Sequence, residues 1–307
     1  MLGLETPVER LQHMNQPAYE FYLNRNPGID LAADRLEIGV CAQHNNGGID
    51  VDLWWRSSIA GLFPVGEAAG AHGVARPGGA ALNSAQVGAT RAAQWIAARE
   101  QGAARADEGW QELAGDALQK ARSLLEAACG REESSGVLID DVLMESTRAM
   151  SDNAGLVRSR QGLEELARNV AEWRRRVVDE CVVDPTSRRS VDRLFLVRDI
   201  LDVQAVYVAA MLDHLDHGVG SRGSVLYTDP DGDLPVSWWN DGADLDVEEI
   251  FRHRLDSKAH HGVTQRVSVD AVGEAIHAHW GPVRPIPTED EFLENVWKTY
   301  RVDHNIH

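Results

Sequence analysis

A carboxylate at the end of an apolar run, followed by a glycine-rich loop and a helix start, is the arrangement in this sequence best suited to chemistry. Gly61-Leu-Phe-Pro-Val-Gly66 reads as a short buried strand, and Glu67 follows at once. The chain then passes Gly70, Gly73, Gly78 and Gly79 before a helix begins near Leu82. Glycines let a backbone take positive φ and come close to a flat ligand. A carboxylate past a strand end accepts hydrogen bonds from sugar-like hydroxyls. The free N–H groups of a helix start favour negative charge. Together these features suit a flavin, with its ribityl hydroxyls at Glu67 and the electron-rich edge of the reduced ring at the helix start. A tight loop around a structurally capped glutamate has the same spacing, and on spacing alone both readings stand.

The elements that must position these residues are mixed. Leu4 to Asn24 reads as a helix stopped by Pro27-Gly28, and Leu36 to Ala42 alternates like a strand. Pro64 implies irregular pairing of the Gly61–Gly66 strand. The next helix is expected over Asn83 to Glu100, with Asn83 as N-cap and Gln86 completing a weak capping box. From 106 to 217 the spacing predicts helices over 106–129, 137–150, 160–182 and 188–217, an antiparallel bundle. Beyond 218 the pattern is less regular. Turns are expected at Asp229-Pro-Asp-Gly-Asp233 and Asn240-Asp-Gly242, short helices near 246–258 and 268–279, and a last helix over Thr288 to Tyr300.

Of 307 residues, 43% are hydrophobic and 25% charged, the balance of a globular protein with room for two domains. The 48 acidic residues outnumber 30 basic ones, for a net charge of −18. Such a surface repels a nucleic-acid backbone or an anionic membrane. Half of the surplus lies in residues 224–307, with 16 acidic and 7 basic side chains. Cys41, Cys129 and Cys181 are scattered and odd in number, which points to a reducing compartment. No basic segment followed by an apolar stretch opens the sequence, and Val203 to Leu212 is too short to span a bilayer. A cytoplasmic location is expected, with peripheral membrane attachment only through partners.

Other constellations are weaker. Asp229-Pro-Asp-Gly-Asp233 lacks the glycine position and closing glutamate of a calcium loop. His253, His260, His261, His277 and His279 have no fixed carboxylate or cysteine partner, so no metal site is expected. His214 and His217 read as a solvated helix face, Arg174-Arg-Arg176 as ion pairing, and Trp54-Trp55 and Trp238-Trp239 as packing or contact surface. Gly218-Val-Gly-Ser-Arg-Gly223 matches the dinucleotide fingerprint literally but follows a helix, the wrong context for one.

Three ordered motifs bring in a family. Gly47-Gly48-Ile49, Gly61-Leu62-Phe63 with Gly66-Glu67, and His72-Gly73-Val74-Ala75-Arg76-Pro77-Gly78-Gly79-Ala80-Ala81-Leu82 resemble the fumarate reductase / succinate dehydrogenase flavoprotein and L-aspartate oxidase family. That family's pattern runs His-Tyr-x-Met-Gly-Gly-Ile, Gly-Leu-(Tyr/Phe)-Ala-x-Gly-Glu and His-Gly-Ala-Asn-Arg-Leu-Gly-x-Asn-Ser-Leu. The resemblance covers residues 36–100, and Gly155-Leu-Val-Arg158 and Gly220-Ser-Arg-Gly223 echo two later signatures in order.

The resemblance implies FAD as cofactor. It places Glu67 at the ribityl or adenosine-side hydroxyls and gives Ala81 and Leu82 backbone contacts to the pyrimidine edge, with Gly47, Gly48 and Gly66 lining the cofactor. It implies that Arg76 grips a substrate carboxylate, as a fixed guanidinium fork can, with His72 on the same loop. Gln43 stands where the family has a substrate-binding histidine, with His44 in the tyrosine slot; a one-residue deletion would instead make His44 that histidine. Ala75 replaces an asparagine and Ala80-Ala81 an Asn-Ser pair, which leaves the substrate open. The family's Gly-x-Gly-x-x-Gly half and capping domain do not precede residue 36.

The expected fold class is therefore mixed α/β and mostly helical. Residues 1–42 would end a capping-domain-like segment, 43–104 form the C-terminal part of an FAD-binding domain, 105–223 a helical bundle and 224–307 an irregular acidic tail. The expected function is part of an FAD-dependent oxidoreductase acting on a small carboxylate, with a second chain supplying the N-terminal FAD-binding and capping regions. An iron-sulfur or other electron-transfer subunit is a further expected partner. A non-catalytic accessory or remnant subunit is the alternative.

Overall fold

Apolar residues at Leu163, Leu166, Val170, Trp173 and Val177, alternately three and four apart, give the helix Arg160–Asp179 one stripe to bury. That stripe sets the core of this computed structural model, which describes residues 5–36, 47–70, 72, 79–99, 109–132, 136–223, 225–236, 246–270, 275–283, 288, 298 and 302. The described residues are mostly helical with some sheet. The chain divides into two compact units, Met1–Asn45 and Asn46–His307.

In the first unit, α1 (Pro7–Met14) and α2 (Gln16–Arg25) replace the single helix expected over Leu4 to Asn24. Pro17 has no N–H to continue the ladder, and Asn15 instead caps α2 by accepting from the Ala18 amide. Thr6 and Glu9 form a reciprocal capping box on α1. The strand expected over Leu36 to Ala42 lies, beyond Leu36, outside the described residues.

In the second unit the helices are α3 (Ala80–Arg99), α4 (Trp110–Cys129), α5 (Ile139–Ala154), α6 (Arg160–Asp179) and α7 (Arg188–Asp216). Helices α5, α6 and α7 enclose the fully buried Val142, Leu163, Leu166, Leu194 and Leu201. Each such side chain contributes about 1.5–3 kcal/mol by leaving water. Cys181 is buried among them, and burial pushes its thiol up to about 11, so it is an inert core residue. The arginine run lies outside this core: Arg174 pairs with Asp202, Arg175 with Glu172, Asp179 and Glu180, and Arg176 with Glu145.

Short parallel pairings join β1 (Val137–Leu138) to β3 (Cys181–Val182), and β2 (Val157–Arg158) to β4 (Leu226–Asp233). Asp229–Asp233, expected as a turn, lies within β4. A Cβ on Gly232 would stand 2.5 Å from the His253 carbonyl, so the glycine lets the strand lie against that segment. A 3₁₀ turn over Glu249–Phe251 occupies the region read as a helix near 246–258. Among the described residues of 268–279 no helix forms, and β5 (Val263–Val269) and β6 (Ile276–Pro282) form an antiparallel hairpin. Val263, Gln265 and Val267 alternate with more exposed neighbours, as do Ile276, Ala278 and Trp280. Asn240-Asp-Gly242 and Trp238-Trp239 fall outside the described residues, as does most of Thr288–Tyr300.

The hairpin docks on the end of α7. Trp280 Nε1 and Gln265 Nε2 both donate to Asp213 Oδ2 at 2.7 Å. His214, expected to face solvent, is half-buried against Trp280 with ring centroids 5.5 Å apart, whereas His217 is exposed as expected, its ring 4.9 Å from the same tryptophan. His260 is 6.0 Å from the same ring, and the Tyr227 hydroxyl is 3.5 Å from His214 Nδ1. Burial holds His214 below the usual histidine range; Arg222, Arg158 and His260 act in the same direction and Asp213 opposes them. The nearby Asp256, with 2% of its side chain exposed, bonds His260 at 2.9 Å. Burial alone would raise its carboxyl, but His260, Arg222 and His261 hold it below the usual range.

A folded pKa lowered at His214 makes the unfolded chain bind the extra proton first. Stability from this group is complete above about pH 6.5 and is lost as pH falls toward the lowered value. Urea unfolding at pH 7.5 and 5.5 should show a wild-type midpoint that drops on acidification and a His214→Gln midpoint that drops less.

Candidate functional site

The segment from Gly47 to Gly70 is fastened to α3 by its own side chains. Asp52 Oδ1 accepts from the amides of Trp54 at 2.8 Å and Arg56 at 3.0 Å, closing a turn in which Trp55 takes φ +57. Trp54 is buried and tilts against Trp95 of α3 at 5.8 Å. The Arg91 guanidinium stands 4.3 Å over Trp54, while Arg91 Nε donates to the Leu53 carbonyl at 2.7 Å. The Trp55 ring occupies the place of a Cβ on Gly88, which would be 2.5 Å from it. Trp54 and Trp55 are thus packing residues that hold the loop on α3.

Gly61–Gly66, expected as a strand, forms no strand pairing among the described residues; Leu62 bonds Ser57 and Ile59 instead, and the segment leads into a 3₁₀ turn over Gly66–Ala69. Gly66 at φ +64 leaves the extended conformation that a strand would need. Beside this turn two glycine backbones meet. A Cβ on Gly70, itself at φ +61, would stand 2.2 Å from Gly47 C and Gly48 N, and one on Gly48 would stand 2.4 Å from the Ala68 carbonyl oxygen. The Ile49 amide donates to that carbonyl at 2.8 Å. Gly47, Gly48 and Gly66, together with Glu67, are thereby gathered at one place.

Helix α3 starts at Ala80, three residues before the expected cap at Asn83, whose amide already bonds the Gly79 carbonyl inside the helix. Alanines at 80 and 81 are strong helix formers, which favours the earlier start. Ala81 and Leu82 therefore sit in the first turn of α3. The 3₁₀ turn packs on this helix, with a Cβ on Gly66 reaching 3.4 Å from Ala85. Glu67 is exposed, and His72 is half-buried. Gln43, His44 and Arg76 lie outside the described residues.

Three residues without a sequence signal complete the surroundings. Tyr207 of α7 places its ring 3.8 Å from a Cβ position on Gly47, and Asp50 pairs with Arg266 of β5 at 2.9 Å. Distant signatures also meet. Arg158 donates to the carbonyls of Ala154 and Gly155 at the end of α5 and stands 5.8 Å over the Tyr227 ring. The Tyr227 amide donates to Ser221 Oγ at 2.8 Å. Gly218 takes φ +68, its amide bonds Leu215 and that of Val219 bonds His214, so the literal fingerprint is the C-cap of α7. Among the described residues no group of three metal-ligating side chains forms, and no helix is long and apolar enough to cross a membrane.

No family model matches the chain. A 66-residue stretch is 39% identical to one of the subunits of the fumarate reductase (CoM/CoB) of Methanothermobacter marburgensis, covering 21% of this chain and 12% of that protein. Over nearly the whole chain the structure resembles a mutated form of FrdA from E. coli quinol fumarate reductase. The TM-score is 0.67 at 20% identity, over 92% of this chain and 43% of FrdA. The Mycobacterium smegmatis Sdh1 complex in its apo form gives 0.61 at 19%, over 98% of this chain and 47% of the other. The fold is that of fumarate reductase and succinate dehydrogenase flavoproteins. The chain spans less than half the length of the flavoproteins it matches.

Within this flavoprotein fold the contact between Gly48 and Gly70 has no side chain that could yield. Gly61→Ala, at φ +79 with open space around it, bears only the left-handed backbone cost of about 1–2 kcal/mol. Gly70→Ala should lose roughly a further 1–3 kcal/mol to the clash, read as the difference between the two urea midpoints. Equal midpoints would show that the two backbones are not in contact.

Proposed function

We propose that this chain carries the second part of the flavin site of an FAD-dependent oxidoreductase that transfers hydride between FAD and a small carboxylate. In this reading residues 1–42 end a capping-type segment and 43–104 hold the flavin. Residues 105–223 form the helical bundle, and 224–307 are an extension that packs on it. A separate chain supplies the dinucleotide-binding and capping regions, and an iron-sulfur or other electron-transfer subunit exchanges electrons with the flavin. Attachment to the cytoplasmic face of a membrane would come through those partners.

The donor set fits the cofactor, and this is the observation that carries the reading. An exposed carboxylate at Glu67, a glycine backbone at Gly47, Gly48 and Gly66, and the first-turn amides of α3 at Ala81 and Leu82 belong to elements packed on one another. Hydride acceptance and delivery are the chemistry that bound FAD supplies. Glu67 accepts hydrogen bonds from the ribityl or adenosine-side hydroxyls, and the α3 amides favour the charge of the reduced ring's edge. Arg76 clamps the substrate carboxylate through its planar fork. His72, with Gln43 or His44, orients the substrate beside it. Leu82 (72% exposed) and Val87 (54%) stand out from the part of α3 between Ala80 and Thr90, which bears no charge.

Co-expression with a chain carrying the dinucleotide-binding half should yield a yellow complex with flavin absorption bands. Arg76→Ala should keep those bands and raise KM for a dicarboxylate about 10- to 100-fold, the weight of one charged hydrogen bond. Glu67→Gln should instead lose flavin on gel filtration. A colourless wild-type complex would leave the non-catalytic, accessory role.

A further inference from the structure

The hairpin β5–β6 has no part in the flavin reading, yet it touches the glycine loop. It is held firmly at one end: Trp280 and Gln265 share Asp213 Oδ2, and Gln265 also donates to the Ala210 carbonyl at 3.0 Å. Arg266, next to Gln265, points the other way along the period-two alternation of a strand and pairs with Asp50 at 2.9 Å. Asp50 directly follows Gly47-Gly48-Ile49. The Tyr207 ring of α7 lies 3.8 Å from a Cβ position on Gly47. The Ile49 amide fixes the same segment to the Ala68 carbonyl. A loop of four residues is thus restrained by three different elements.

We infer that Arg266 is a positioning residue: through Asp50, and together with Tyr207, it holds the Gly47–Asp50 loop against the 3₁₀ turn that bears Glu67. The C-terminal hairpin thereby acts as a buttress of the candidate cofactor loop. The ion pair is half-exposed on both sides, so it adds little to global stability and acts on the opening of the loop alone. The use of the loop for flavin rests on the function proposed above; the buttress itself does not.

The test uses the full chain without cofactor. Hydrogen exchange is followed by mass spectrometry over a peptide covering residues 47–53, which contains the Ile49 amide, and over a peptide from α6. Arg266→Ala and Asp50→Asn should each speed exchange of the loop peptide roughly two- to five-fold, the range of a single exposed ion pair. The α6 peptide should be unchanged. Tyr207→Ala should act on the same loop peptide. The charge-swapped double variant Asp50→Arg/Arg266→Asp should return exchange toward wild type, a rescue that a purely structural arginine would not give. Loop exchange unmoved by the single variants, or a swap no better than either of them, overturns the inference. In the complex with the dinucleotide-binding chain, Arg266→Ala should also speed flavin loss. A colourless wild-type complex counts against the flavin reading and leaves the exchange result standing.

Discussion

Where the Cα of one segment faces the main chain of another at contact distance there is no room for a Cβ, and the candidate site depends on that constraint. Gly48 and Gly70 meet so closely that a methyl group on either would overlap main-chain atoms of the other segment. Because neither obstacle is a side chain, no rotamer change relieves it. The turn that bears Glu67 meets α3 directly, at Gly66 and Ala85, and meets the Gly47–Asp50 loop through this contact. The 3₁₀ turn over Gly66–Ala69 presents the carboxylate, and the Ile49 to Ala68 hydrogen bond locks the turn to the loop. The tryptophan–arginine packing of Trp54, Trp95 and Arg91 then fixes the loop on the helix.

The helical core supplies rigidity of a different kind. Helices α5, α6 and α7 bury leucine and valine stripes whose loss on truncation typically costs about 2–5 kcal/mol each for leucine. At the end of α7 the chemistry becomes polar. Asp213 receives two donors from the hairpin, and a group of histidines surrounds Trp280. These contacts tie residues beyond 260 to the core, so much of the segment of largest acidic surplus is ordered structure. Its negative charge is partly answered by arginines, as in Arg254 with Asp229 at 3.0 Å and Arg252 with Glu249.

Helices were legible where apolar spacing repeated over many residues. Among the described residues the four expected between 106 and 217 are all present, with ends such as those of α5 and α6 shifted by a few residues. Misreadings came where local signals competed. Pro17 split the first helix, since a proline two residues into a new helix starts it rather than continues the old one. In Val263-Thr-Gln-Arg-Val-Ser-Val269 the β-branched alternation marked a strand, but the alanines and glutamate that follow it resembled a helix. The histidine at 214 looked solvated because its neighbours in sequence are acidic; its true neighbour, Trp280, is more than sixty residues away. For the site, glycine spacing and Glu67 were visible as a motif. Tyr207 and Arg266 were not, because a contact across more than 150 residues leaves no local pattern.

Across less than half the length of the flavoproteins it resembles, the chain keeps a glycine contact, an exposed carboxylate and a helix start in one packed group. In the proposed reading that group is one wall of a flavin site. The most direct measurement is the crystal structure of the chain assembled with a dinucleotide-binding partner and FAD. The flavin's pyrimidine edge should lie at the Ala81 and Leu82 amides and its hydroxyls at Glu67. A flavin held wholly by the partner, with Glu67 left in solvent, would contradict this assignment.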